Sequence, residues 1–129
     1  MRGAIVGLTP ATTALDILQA TREATFQQLA RIVELIPRQG NRALQIIVSG
    51  GLQKSAVDLQ RLADVLGQTV IASSEPEASL RGAAVFALEK LGVAVPSPSP
   101  GRKLHPRAAI ARQYAAARRQ QLALEHALL

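Results

Sequence analysis

The stretch from Leu44 to Ala72 constrains the fold more than any other part of this chain. A short run rich in β-branched residues, Leu44-Gln45-Ile46-Ile47-Val48, leads into Ser49-Gly50-Gly51. Helical periodicity follows from Ser55, with Val57, Leu59, Leu62, Ala63, Val65 and Leu66 on the apolar face and Gly67 as its stop. A second β-branched run, Thr69-Val70-Ile71-Ala72, comes next. Strand, glycine turn, helix and strand with a connection of this length predict two parallel strands joined by a right-handed crossover. The fold class is therefore α/β. Two strands make a poor sheet, since about four to six are usual and a lone pair exposes faces and edges. The pattern predicts that part of the sheet is missing from this segment.

The flanks read as helices. Residues 13–36 place Leu15, Leu18, Phe26, Leu29, Ile32, Val33 and Ile36 at three-to-four spacing, with Thr12 or Thr13 as the cap and Pro37 as the stop. The loop Arg38-Gln39-Gly40-Asn41-Arg42 follows. A third helix is expected over about Glu77 to Leu91, where Ala78, Ser79, Gly82, Ala83, Ala84 and Ala87 would let a neighbour approach closely. Residues 93–101 contain three prolines and read as an extended linker, and a last helix covers 106–128. The expected division is a body over 1–92, a linker over 93–101 and a basic C-terminal helix over 102–129.

Composition narrows the function classes. With 129 residues and 48% hydrophobic side chains, the chain can bury one core. Phe26, Phe86 and Tyr114 are the whole aromatic set, too few for stacking on single-stranded nucleic acid. Without cysteine there is no disulfide, no thiolate nucleophile and no cysteine-based zinc site. No apolar run approaches the roughly 18 residues of a membrane span, and Thr9-Pro10 interrupts the N-terminal apolar stretch. A soluble, cytoplasmic protein is expected. The net charge of +6 is a property of the tail: residues 1–101 carry nine Lys/Arg against eight Asp/Glu, whereas residues 102–129 carry six against Glu125 alone. A basic helix can bind phosphate backbones or anionic lipid, but a solvated face is the better reading of this one.

The candidate site is the turn Ser49-Gly50-Gly51-Leu52-Gln53-Lys54-Ser55. Glycines permit positive φ and let a ligand's phosphate or ribose lie against the backbone. The start of the next helix offers free N–H groups to an anion. An ordinary tight turn satisfies the same residues, and neither the P-loop nor the dinucleotide fingerprint is present.

Residues 49–84 add a second argument. Ser49-Gly50-Gly51, Lys54-Ser55, Ala63-Asp64-Val65-Leu66-Gly67, Glu75-Pro76-Glu77 and Gly82-Ala83-Ala84 together resemble the adenosine-motif segment of the FGGY carbohydrate kinases, of the xylulokinase and gluconokinase kind. Arg2-Gly3-Ala4-Ile5-Val6-Gly7-Leu8-Thr9 resembles the opening of that family's second domain. Asp16 to Ala20 with Glu23 resembles its next helix, and His105-Pro106, Tyr114 and Arg118-Arg119-Gln120 are similar to its last one. The resemblance implies part of an actin-like, ribonuclease-H-like ATPase fold, helix-rich with a short parallel sheet. It implies ATP and Mg2+ as the nucleotide and metal of the full-length kinase, with Gly50 and Gly51 lining the nucleotide and Leu52 and Ser55 close by. Lys54 stands at a position often basic in the family, facing phosphate or solvated at the helix start. Ala24 and Leu52 depart from the pattern, which has glycine at the first and a small residue at the second; Leu52 would bring bulk close to the ligand.

The resemblance also implies that the phosphate loop, the sugar site and the catalytic aspartate precede this segment. Phosphoryl transfer needs metal-bound phosphates and a carboxylate beside the attacking hydroxyl. Asp58 and Asp64 read as solvated or capping, Glu23 as structural or hinge-facing, and Glu75 and Glu77 lack partners for magnesium. His105 and His126 lack metal-pair spacing and read as surface residues. The expectation is the nucleotide-side part of a sugar kinase with no catalytic residue of its own, binding sugar only with the missing domain. The alternatives are a non-catalytic subunit or dimerising remnant of a split kinase and, third, a small basic nucleic-acid-binding protein.

Overall fold

The computed structural model describes residues 4–37, 44–99 and 101–128; Arg2 and Gly3 of the opening motif, the loop 38–42 and Pro100 lie outside them. The first helix, α1 (Ala14–Leu35), starts at a capping box. Asp16 N–H donates to Thr13 Oγ1 at 3.2 Å, while Thr13 N–H donates to Asp16 Oδ2 at 2.8 Å. Its stop is Ile36, extended at φ −70° and ψ 120°, as a residue before proline prefers.

β1 (Ile46–Val48) and β2 (Val70–Ala72) form the expected parallel pair, with Ile46 opposite Val70 and Val48 opposite Ala72. The crossover helix is α2 (Ala56–Leu66), capped by Ser55, whose Oγ accepts Asp58 N–H, and closed by Gly67 in the left-handed region at φ +63°. Between β1 and α2 the chain makes a 3₁₀ turn over Gly50–Lys54. A third strand, β3 (Arg102–Leu104), adds to β2 antiparallel, giving the order β1-β2-β3. The sheet is thus mixed, and the first residues of the segment read as basic helix are strand. Gly101 explains how the proline stretch can lead there. A Cβ at Gly101 would sit 1.9 Å from the Ala72 carbonyl oxygen, so only glycine lets the two backbones close.

Pleating divides the sheet into two faces. Val70, Ala72 and Leu104 are buried with Leu59, Leu62, Ala63, Val65 and Leu66 of α2. On the other face Ile47 is 62% exposed. α2 is the centre of the fold, with every residue from Leu62 to Leu66 buried. α1 contributes only Phe26, Gln27 and Ala30 to the interior, and Leu15, Leu18, Leu29 and Ile32 of its apolar stripe are exposed. α3 (Ala78–Lys90) buries no residue, its small-residue face included. The last helix, α4 (Ala108–Leu128), packs on α2 and is hydrogen-bonded to α1 through Tyr114 and Arg118.

Candidate nucleotide-side site

The glycine turn stands at the carboxyl end of β1, the end at which open parallel sheets bind ligands. Gly50 has φ +79°, a conformation that L side chains rarely adopt, and it turns the chain out of the strand. Gly51 has no such requirement. A Cβ at either position would meet nothing within 4 Å, so the backbone borders open space. Leu52 is half-buried and packs against the core. Lys54 is exposed and makes no ion pair among the described residues.

A second loop stands beside the turn. Ser73 N–H donates to Val48 O at 2.8 Å, continuing the ladder past β2 and holding the two strand ends together. Glu75 N–H donates to Ser73 Oγ at 3.0 Å, and Gln53 Nε2 donates to Glu75 O at 3.2 Å. Gln53 and Ser73 therefore fix the turn to the loop after β2. Gln53 lies within the turn read from the sequence, but its partner was not legible, because the bond links positions 22 apart.

The helix start is less available to an anion than its sequence suggests. Ser55 already serves as cap, and the first turn of α2 carries Asp58. Asp58 is buried and paired with Arg22 of α1. The reading of Asp58 and Asp64 as solvated or capping is thereby corrected: both are interior carboxylates whose cations come from elsewhere in the chain. Asp64, with 0% exposure, accepts from Arg107 N at 2.7 Å, Nε at 3.0 Å and Nη2 at 2.6 Å, and from Gln60 Nε2 at 3.2 Å. Burial opposes the charge on Asp64, yet the bonds from Arg107 and Gln60 outweigh it and hold the carboxyl below its ordinary range.

Further bonds clamp α4 in place. Tyr114 Oη donates to Glu23 Oε1 at 3.0 Å, which makes Glu23 a structural residue, and Gln27 Nε2 donates to Tyr114 O at 3.3 Å. Burial, then the bond to Glu23, push the Tyr114 phenol upward. Arg118 pairs with Glu34 and donates to Val65 O at 3.2 Å. His105 and His126 are exposed, His105 Nδ1 lying 3.0 Å from Thr69 Oγ1.

This arrangement and its sequence have known counterparts. The sequence model for the FGGY family of carbohydrate kinases, C-terminal domain, matches residues 1–90. The chain belongs to the FGGY family of carbohydrate kinases. It is 36% identical over 91 residues to glycerol kinase of Xanthobacter autotrophicus, covering 67% of this chain and 18% of that protein. It is 35% identical over 92 residues to ribulokinase of Mycolicibacterium smegmatis, covering 71% of this chain and 16% of that protein. The chain therefore spans less than a fifth of these relatives' length. Two solved kinases of Lactobacillus acidophilus share the fold. The ligand-bound xylulose kinase superposes with a TM-score of 0.84 at 19% identity, covering 99% of this chain and 27% of the other. The gluconate kinase gives 0.82 at 21% identity, with coverage of 99% and 27%. This FGGY chain thus has the fold of the matching part of those kinases, an actin-like ATPase fold. Among the described residues no helix is long and apolar enough to cross a membrane.

Proposed function

We propose that this chain supplies one wall of the nucleotide cleft of an ATP-dependent sugar kinase, with Gly50 and Gly51 against the adenosine and phosphates. The carrying observation is the open space beside two glycines at the carboxyl end of a parallel strand, within the segment that matches the family. Gln53 and Ser73 position that turn, and Ser55 acts as the cap of α2. Lys54, exposed and without an ion-pair partner among the described residues, is the side chain to meet phosphate. In the complete kinase the acceptor is a hydroxyl of a sugar or polyol, in keeping with the kinases it resembles.

No ligand set for magnesium comes together among the described residues. Among the described residues no three His, Cys, Asp or Glu side chains come together, and Asp58, Asp64 and Glu23 are engaged by Arg22, Arg107 and Tyr114. No phosphoryl-transfer step is assigned to a residue of this chain, and it is expected to be inactive alone. The chain would be mixed with ATP, magnesium and a panel of pentoses, gluconate and glycerol. Nucleotide is expected to shift the NMR signals of residues 50–55 and 73–75 without forming ADP. Sugar-dependent ADP formation at ordinary kinase rates, or nucleotide shifts confined to other residues, would overturn the proposal.

A second reading, association with a complementary kinase segment or a second copy, has its own observation. Ile47 is 62% exposed on the open face of the sheet, while Leu80, Phe86 and Leu91 of the α3 region are 69%, 64% and 78% exposed. Uncovered apolar surface of this kind favours association. Sedimentation of a strictly monomeric chain at all concentrations would count against self-association. Nucleic acid is the least supported partner, because Arg107 and Arg118 of the basic tail are spent on Asp64, Glu34 and Val65.

A further inference from the structure

A cavity of about 450 Å³ opens between α1, α2 and α4, lined among others by Glu23, Arg61, Arg107, Gln113 and Tyr114. It shares no residue with the glycine turn. Every carboxylate near it accepts a hydrogen bond from another residue, Asp58 Oδ2 from Arg22, Asp64 from Arg107 and Gln60, and Glu23 from the Tyr114 hydroxyl, while Asp58 Oδ1 is buried without a hydrogen bond among the described residues. Arg61 is the guanidinium whose donors are left over. Its nearest carboxylate oxygens, on Glu23 and Asp58, are 3.8 Å and 4.0 Å away, both beyond a hydrogen bond. The side chain is only 20% exposed, and its guanidinium donates no hydrogen bond among the described residues.

A guanidinium carries five N–H donors in a planar fork matched to two oxygens of one anion. Two other groups on the same wall have capacity to spare. Gln113 makes no side-chain hydrogen bond among the described residues, and Arg107 commits Nε and Nη2 to Asp64 but not Nη1. We infer that this cavity is a binding site for a small oxyanion, a carboxylate or a phosphate, held by the fork of Arg61 with Gln113 and Arg107 as supporting donors. Selection comes from donor geometry and not from net charge, because Arg22, Arg61 and Arg107 face Asp58, Asp64 and Glu23 one for one. Affinity is therefore expected near about 1 mM. The inference rests on the fold and stands or falls independently of nucleotide binding at Gly50 and Gly51.

The test is a titration of the whole chain with inorganic phosphate and, separately, with acetate at constant ionic strength, followed by NMR of the amides and arginine side chains. Saturable shifts at Arg61 and Gln113 are expected, for phosphate alone if the site takes phosphates, for acetate alone if it takes carboxylates, and for both if it takes either. Arg61→Gln should weaken binding about tenfold, the loss of one charge-assisted bidentate contact, whereas exposed Arg112→Gln should leave it unchanged. Should Arg61→Gln fail to fold, Gln113→Leu decides, since its side chain holds nothing together internally; a several-fold weaker affinity is expected. Shifts that grow without saturating, or an affinity unmoved in both Arg61→Gln and Gln113→Leu, would overturn the site.

Discussion

Arg107 places its backbone N–H and two guanidinium nitrogens on Asp64 across 43 residues of sequence, although Asp64 has no exposed surface and the Arg107 side chain is 62% exposed. The bond joins α2 to the start of α4, and it explains how a helix that follows a proline-rich stretch is held against the fold.

Removing the carboxylate tests that role. Asp64→Ala removes the acceptor of the Arg107 N–H and guanidinium, and losing hydrogen bonds to a charged group costs about 1.5–3 kcal/mol. Urea unfolding should show a lower midpoint in Asp64→Ala. A midpoint equal to that of the parent chain would mean that α4 is held by its apolar contacts alone.

Stability should fall at both ends of the pH scale. Asp64 is held low by the Arg107 bonds acting against burial, and Asp16 by its bonds with Thr13. For both, the folded value lies below the unfolded one of about 3.9. Their contribution is present above that value and lost as pH falls through the folded one, because the unfolded chain then binds more protons. Tyr114 has the opposite sign: burial and Glu23 raise it, so its contribution holds below about pH 10 and is lost as pH rises further. Thermal midpoints across pH should show both arms, with Tyr114→Phe losing the alkaline arm and Asp64→Ala blunting the acid one.

Three glycines should respond differently to alanine. Gly101→Ala puts a methyl into the Ala72 carbonyl and should lose at least about 1–3 kcal/mol, the usual penalty for overpacking. Gly50→Ala is strained by its φ of +79° and should lose about 1–2 kcal/mol. Gly51→Ala meets open space without positive φ and should keep the parent's stability. Denaturant midpoints would rank the three. A Gly51→Ala variant as damaged as Gly101→Ala would contradict the open space beside the turn.

The sequence by itself determined the elements and the order of most of them. Periodicity, β-branched runs, Thr13, Pro37 and Gly67 are local signals, because helix caps, helix stops and pleats depend on residues a few positions apart. They placed α1, β1, α2, β2, α3 and α4 and the parallel pair, and the ordered matches to the FGGY pattern placed the glycine turn. The tertiary structure decided what depends on distant partners. β3 was invisible because Arg102-Lys103-Leu104 has no strand pattern of its own and is ordered by β2, at the one point where Gly101 lets the backbones meet. Asp58 and Asp64 looked like surface acids because the arginines that allow their burial lie 36 and 43 residues away. Arg61 acquired its meaning last: only with the hydrogen bonds of Asp58, Asp64 and Glu23 traced to other residues do its own donors stand uncommitted beside the cavity.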